Sequence, residues 1–191
     1  MTRDMFLQET DATVLNFDLR AFTMIAAHLG PVELGALLSR FYEHAEQAID
    51  AGGGRLIKFM SDIVMSVFIA GQHGEAHGGH RRGALAAIRH AQKTRAAWLA
   101  ENQQLKLPLL SYSMAAASGK VLVGQIGTVK QHAFDVLGGP ANVAYKLTAL
   151  ATMRDVDNLV TADVLAGDSK GAIESEAASL GGQRHRLYQV E

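Results

Sequence analysis

The sequence predicts a mixed α+β fold, a mainly antiparallel sheet with helices packed against it. Three observations predict it. Strand-like runs alternate with long helical patterns, and short turn-prone segments join neighbouring strands as hairpins. The composition, 48% hydrophobic and 19% charged, is that of a folded globular chain. At 191 residues, one well-packed domain spanning 1–191 is expected.

The elements follow in order. Residues 13–18 (TVLNFD) form a short β-prone run that ends in an acid. Pro31 sits where a first helical turn tolerates proline. After it, Leu34, Leu37, Leu38, Phe41, Ala45, Ala48 and Ile49 recur at three- and four-residue steps, which makes one apolar helix face. Gly52, Gly53 and Gly54 stop that helix. Runs 55–60 and 63–69 flank Ser61-Asp62 and read as a hairpin with Asp62 at its tip. A Gly- and His-rich loop, 71–79, leads to a second helix over 81–104, with Leu85, Ile88, Ala91, Ala96 and Leu99 on its buried side.

Beyond Pro108, runs 109–117 and 121–126 are expected to pair around Ser118-Gly119-Lys120, and 132–137 adds a strand. Gly138-Gly139-Pro140 opens a helix carrying Ala141, Val143, Ala144, Leu147 and Leu150. Residues 158–161 read as a strand, 167–183 as loop with a turn of helix, and 187–190 as an edge strand. This order puts helices on one face of the sheet and extends the ferredoxin-like βαββαβ plan.

Composition removes several function classes. A net charge of -1 and a pI near 6.7 argue against a protein that coats nucleic acid or clings to anionic lipid. The absence of cysteine excludes disulfides, cysteine zinc sites, iron-sulfur clusters and thiol catalysis. The strongest apolar run, IVMSVFIA at 63–70, is far short of a membrane span. The N-terminus, MTRDMFLQETDA, lacks a signal-peptide pattern. A cytoplasmic location is the expectation.

Two acids stand apart from the rest. Asp18 closes the first strand and Asp62 tips the following hairpin; neighbouring strands would bring both carboxylates to one sheet edge. Two close carboxylates repel and favour a cation, and hard oxygen ligands suit Mg²⁺ or Mn²⁺ presented to phosphates. Ala21, Phe22 and Thr23 open a helix whose free N–H groups suit a triphosphate. The plainer reading, one helix cap and one turn acid, stands beside this. His73, His77 and His80 read as solvated loop, Met24, Met60 and Met65 as core filler, and Trp98 as core or an interface anchor. Arg81-Arg82 reads as an exposed helix start, and VGQIG (123–127) as β ribbon, since it lacks a P-loop ending.

Four motifs sharpen the reading: FDLRAFT (17–23), KFMSDIVMSVF (58–68), ASGKVLVGQIG (117–127) and FDVLGGPANVAYKL (134–147). In this order they resemble the catalytic domain of class III nucleotidyl cyclases, the adenylate and guanylate cyclases, over residues 13–164. The resemblance implies that Asp18 and Asp62 bind two divalent ions, with the carbonyl of Leu19 facing one of them. It implies that Lys58 reads the purine, and that Asn142 and Lys146 orient the ribose and stabilise the transition state. It also implies a head-to-tail homodimer in which one subunit's aspartates work with Asn142 and Lys146 of the other. The reaction implied is attack of the ribose 3′-oxygen on the α-phosphate of ATP or GTP, releasing pyrophosphate, in cyclic-nucleotide signalling.

The sequence departs from the family pattern in places. Lys146 stands where Arg is usual and lacks the planar fork that holds two phosphate oxygens. The second purine-reading position, usually Asp, aligns with Gly139, so ATP is favoured over GTP only slightly. Ser61 replaces a usual Gly. A C-terminal phosphate contact falls to Arg184 or Arg186. These departures support an alternative: a degenerate cyclase domain that binds nucleotide or dimerises as a regulatory module without turnover. A diguanylate cyclase fits poorly, because the hairpin reads Met60-Ser61-Asp62-Ile63.

Overall fold

The computed structural model describes residues 7–128, 130–166 and 169–191. Its spine is an antiparallel pair, β1 (Leu7–Leu19) against β4 (Tyr112–Gly127). The hairpin β2 (Arg55–Met60) and β3 (Ile63–Ile69) lies beyond β1; β6 (Asn158–Thr161), β8 (Gln183–Val190) and β7 (Ala172–Leu180) lie beyond β4. The order is β2-β3-β1-β4-β6-β8-β7, and β5 (His132–Leu137) pairs with the far half of β4. Every pairing is antiparallel except β4 with β6.

Helices cover both faces of this sheet, which corrects the expectation of one. Leu15, Phe17 and Leu19 face α2 (Pro31–Ala51) and α3 (His80–Gln104), packing with Phe41, Ile49, Leu85 and Ile88. Ala12 and Val14 point the other way, to Val143, Ala144, Leu147 and Ala151 of α4 (Gly139–Met153). The physical signature is continuous burial from Ala12 to Phe17, where a sheet with one wet face would alternate. Trp98 is core: its ring stacks on His44 at 5.1 Å and its Nε1–H donates to the carbonyl of Arg40.

Four further expectations change. Residues 112–127 are one strand, because β1 continues alongside and pairs with Ser118, Gly119 and Lys120 through Thr13, Ala12 and Asp11. Gly119 is there for clearance: a Cβ would come within 3.2 Å of Pro140 at the start of α4. The strand before Asp18 begins at Leu7, since LQETDA gains its partners from β4 despite its polarity. Within 167–183, the described residues 172–180 form β7, and the short helix lies earlier, at α5 (Ala162–Leu165); 167 and 168 lie outside the described residues. Gly181 and Gly182, with φ of 60° and 82°, close the β7–β8 turn in the left-handed geometry of tight hairpins, so β8 is interior and β7 is the edge. Among the described residues, no helix is long and apolar enough to cross a membrane.

Candidate active site

The β1–β3 register sets Asp18 opposite Ile63, one residue from the turn that carries Asp62. A backbone bond from Leu19 N–H to the Asp62 carbonyl, 2.9 Å, locks the two strand ends together. Ser61 takes a left-handed φ of 60° to make the turn, and Tyr42 Oη donates to its carbonyl at 2.5 Å. The Tyr42 ring in turn stacks on Phe59 at 4.1 Å. Both acids line an open cleft of about 290 Å³ with residues 19–24 of the chain and Ala149 and Thr152 of α4.

Burial first, and the Asp62 carboxylate second, push the Asp18 carboxyl up to about 6; the Arg20 guanidinium pulls the other way. Uncompensated negative charge in a partly buried cleft is what a divalent cation relieves, so the pair fits one. No group of three or more His, Asp or Glu that could hold a metal exists among the described residues. The remaining coordination would therefore fall to main-chain carbonyl, phosphate and water oxygens. Ala21 (φ 56°, left-handed) caps the five-residue α1 (Phe22–Ala26) without a side-chain bond, and Ala21, Phe22 and Thr23 line the same cleft. Met24, expected in the core, is exposed here.

A second cluster lies where β2 meets β5. Lys58 Nζ donates to both carboxylate oxygens of Asp135, at 2.9 and 2.7 Å, and Arg55 lies over the Phe134 ring at 3.7 Å. The position facing Lys58 is thus Asp135, which sequence reasoning missed although it lies in FDVLGGPANVAYKL. Gly139 instead opens α4, exposed, with nothing within 4 Å of where a Cβ would stand. Asn142 and Lys146 are both exposed on α4, whose inner face is Val143, Ala144, Leu147 and Ala151. Arg184 and Arg186 are exposed on β8, and neither lines the cleft.

No family model matches the chain. It is 24% identical over 153 residues to an adenylate cyclase of Anabaena cylindrica, which covers 80% of this chain and 30% of that protein. The chain therefore spans about a third of the length of such curated relatives. Among solved structures, the adenylyl cyclase CyaB of P. aeruginosa superposes with a TM-score of 0.81 at 22% identity, covering 97% of this chain and 96% of that one. The guanylyl cyclase Cya2 superposes with a TM-score of 0.80 at 20% identity, covering 95% and 91%. The fold is that of a class III nucleotidyl cyclase catalytic domain.

Within this cyclase fold the two clusters sit on different parts of β4. Asp18 is paired near its start, opposite Ser113, while Asp135 is paired toward its far end, opposite Gly124. The loop histidines do not form a site: His73 Nδ1 accepts the Ile69 N–H, His77 Nε2 lies 2.8 Å from the Ala51 carbonyl, and His80 Nδ1 lies 3.0 Å from Thr13 Oγ1.

Proposed function

We propose that this chain is a nucleotidyl cyclase, converting a purine nucleoside triphosphate to its 3′,5′-cyclic monophosphate and pyrophosphate. The observation that carries the reading is the convergence of Asp18 and Asp62 on one cleft within a cyclase fold. Asp18, Asp62 and the Leu19 carbonyl would hold two Mg²⁺ or Mn²⁺ ions, which when bound acidify the ribose 3′-hydroxyl and neutralise the leaving phosphates. Amides of Ala21, Phe22 and Thr23 meet the triphosphate.

Lys58 and Asp135 offer one donor and one acceptor side by side. That pair complements N1 and N6 of adenine, or O6 and N1 of guanine. ATP is placed first because curated relatives with a named activity, from Anabaena cylindrica and Rhizobium meliloti, are adenylate cyclases. Asn142 and Lys146, at helical i,i+4 spacing, project from one face. Asn142 holds the ribose, and Lys146 places positive charge over the phosphate as the 3′-oxygen attacks. In a head-to-tail homodimer, Asn142 and Lys146 of the partner subunit would close over the Asp18–Asp62 cleft, which explains why both are exposed and unpaired with acids among the described residues.

One observation favours a second reading. The amine at position 146 lacks the two-pronged grip of a guanidinium, as expected of a regulatory domain that binds nucleotide without turnover. The deciding experiment is product formation with Mn²⁺ and either ATP or GTP. Cyclic product that disappears in Asp62→Asn supports the enzyme. Bound nucleotide with no product at high protein concentration overturns it.

A further inference from the structure

Arg20 follows Asp18 by two residues and lines the same cleft. Each of its three guanidinium nitrogens donates to an acceptor other than the two aspartates of the cleft. Nε donates to Ser113 Oγ at 2.7 Å, Nη1 to Asp155 Oδ1 at 2.7 Å, and Nη2 to the carbonyl of Val156. Ser113 pairs with Asp18 across β1 and β4, and its Oγ lies 3.1 Å from Thr152 Oγ1 in the last turn of α4. Asp155 and Val156 form the turn that leaves α4, and their N–H groups donate to the carbonyls of Thr152 and Ala151. One side chain therefore ties the strand end bearing Asp18 to the C-terminal end of the helix bearing Asn142 and Lys146.

A helix transmits such an anchor because its backbone bonds make it a rod. Thr152 lies less than two turns beyond Lys146, about 9 Å along the axis. Arg20 is also only 15% exposed, whereas Asp155 is 92% exposed. The clamp thus owes its definition to the buried fork and its three fixed directions, not to the exposed ion pair.

We propose that Arg20 is a positioning residue for two active sites at once. It aligns Asp18 in its own chain's cleft and, through the end of α4, it aligns Asn142 and Lys146 in the site completed with the partner. This rests on the composite-site reading given above. It makes each subunit's carboxylate end and helix end a mechanical unit, so disturbance at one site is felt at the other.

The test uses mixed dimers with one working site. An Asp18→Asn chain supplies Asn142 and Lys146; a Lys146→Ala chain supplies the carboxylates. Arg20→Gln is then placed in the Asp18→Asn chain, whose own cleft is already dead. The expected result is a fall in kcat of about tenfold or more, with KM for the metal–nucleotide moving by less than about twofold. Arg20→Lys in that chain should fall equally, because an ammonium, a compact point charge, lacks the planar fork that spans Ser113, Asp155 and Val156 at once. Placed in the Lys146→Ala chain, Arg20→Gln and Arg20→Lys should both raise the metal concentration needed for half-maximal activity, because neither holds the strand end that bears Asp18.

Asp155→Asn, at an exposed position that leaves the core untouched, should give a smaller fall in kcat in the same direction. Unchanged kcat for Arg20→Gln in the Asp18→Asn chain, against an active parent mixture, overturns the role of Arg20 alone. An unstable Arg20→Gln chain leaves the decision to Arg20→Lys in the same chain, where no fall overturns it. A parent mixture with no activity despite proven mixed dimers overturns the composite site, and this inference with it.

Discussion

The N–H of Leu19 donates to the carbonyl of Asp62 at 2.9 Å, so a main-chain bond, not a side chain, sets the spacing of the two cleft carboxylates. Their side chains are then free to be altered without undoing the arrangement. Asp18→Asn or Asp62→Asn should reduce product formation by about a thousandfold or more while the far-UV circular dichroism stays that of the parent. Normal turnover in either variant would remove the metal assignment.

The same pair shapes stability. The Asp18 carboxyl stands at about 6 in the folded chain against an ordinary 3.8, so between those values the folded state keeps a proton that the unfolded state loses. Stability from this group therefore falls as pH rises through the window, and the deficit is complete above it. Asp18→Asn should melt higher than the parent above pH 6 and equal to it below 3.8, in metal-free buffer. Mn²⁺ should raise the parent's Tm above pH 6 and leave that of Asp62→Asn unmoved.

His44 works in the opposite sense. Burial, then the nearby Arg95, His90 and Arg40 charges, lower its imidazole to about 4 from 6.5. It is fixed neutral against Tyr112 Oη at 2.7 Å and the Trp98 ring. Its contribution is present above 6.5 and is lost as pH falls toward 4, because the unfolded chain protonates first. His44→Gln should flatten the acid limb of the Tm–pH curve, and Asp18→Asn should steepen it. Parallel curves for all three proteins would contradict both shifts.

Lys58 and Asp135 hold one another in the purine-reading role proposed for them. Asp135→Asn should lower kcat/KM for the preferred nucleotide about ten- to a hundredfold, the range of one charged hydrogen bond. It should also narrow the ratio between ATP and GTP. An unaltered ratio, measured in competition, would place the base elsewhere.

Lys146→Arg restores a planar fork at the position proposed to meet the phosphate. The expected result is a higher kcat with little change in KM. An unchanged rate would mean that the amine does not reach the reacting phosphate. Mixed Asp18→Asn and Lys146→Ala chains should recover roughly a quarter of the parent rate if they pair at random.

Much of this molecule was legible in the sequence. The periodic apolar faces of α2, α3 and α4, the Ser61-Asp62 hairpin and the four motifs are local patterns, and each element formed close to where its pattern lay. Strand limits were less legible where pairing overrides composition. The polar start of β1 and the turn-like Ser118-Gly119-Lys120 are extended because a long partner lies beside each. The Gly181-Gly182 turn was written plainly enough to find, but the polar run before it obscured the strand.

By itself the sequence determined the long helices and the Ser61-Asp62 hairpin, and it put forward the residues proposed to carry the chemistry, Asp18, Asp62, Lys58, Asn142 and Lys146, because residue type and short-range spacing are properties of the chain. Only the tertiary structure decided which of them meet. It set Asp135, not Gly139, against Lys58, covered both faces of the sheet, and ran Arg20 from the carboxylate strand to the end of α4. Those contacts join residues far apart in the chain, and they depend on sheet order and strand register, which no local pattern encodes.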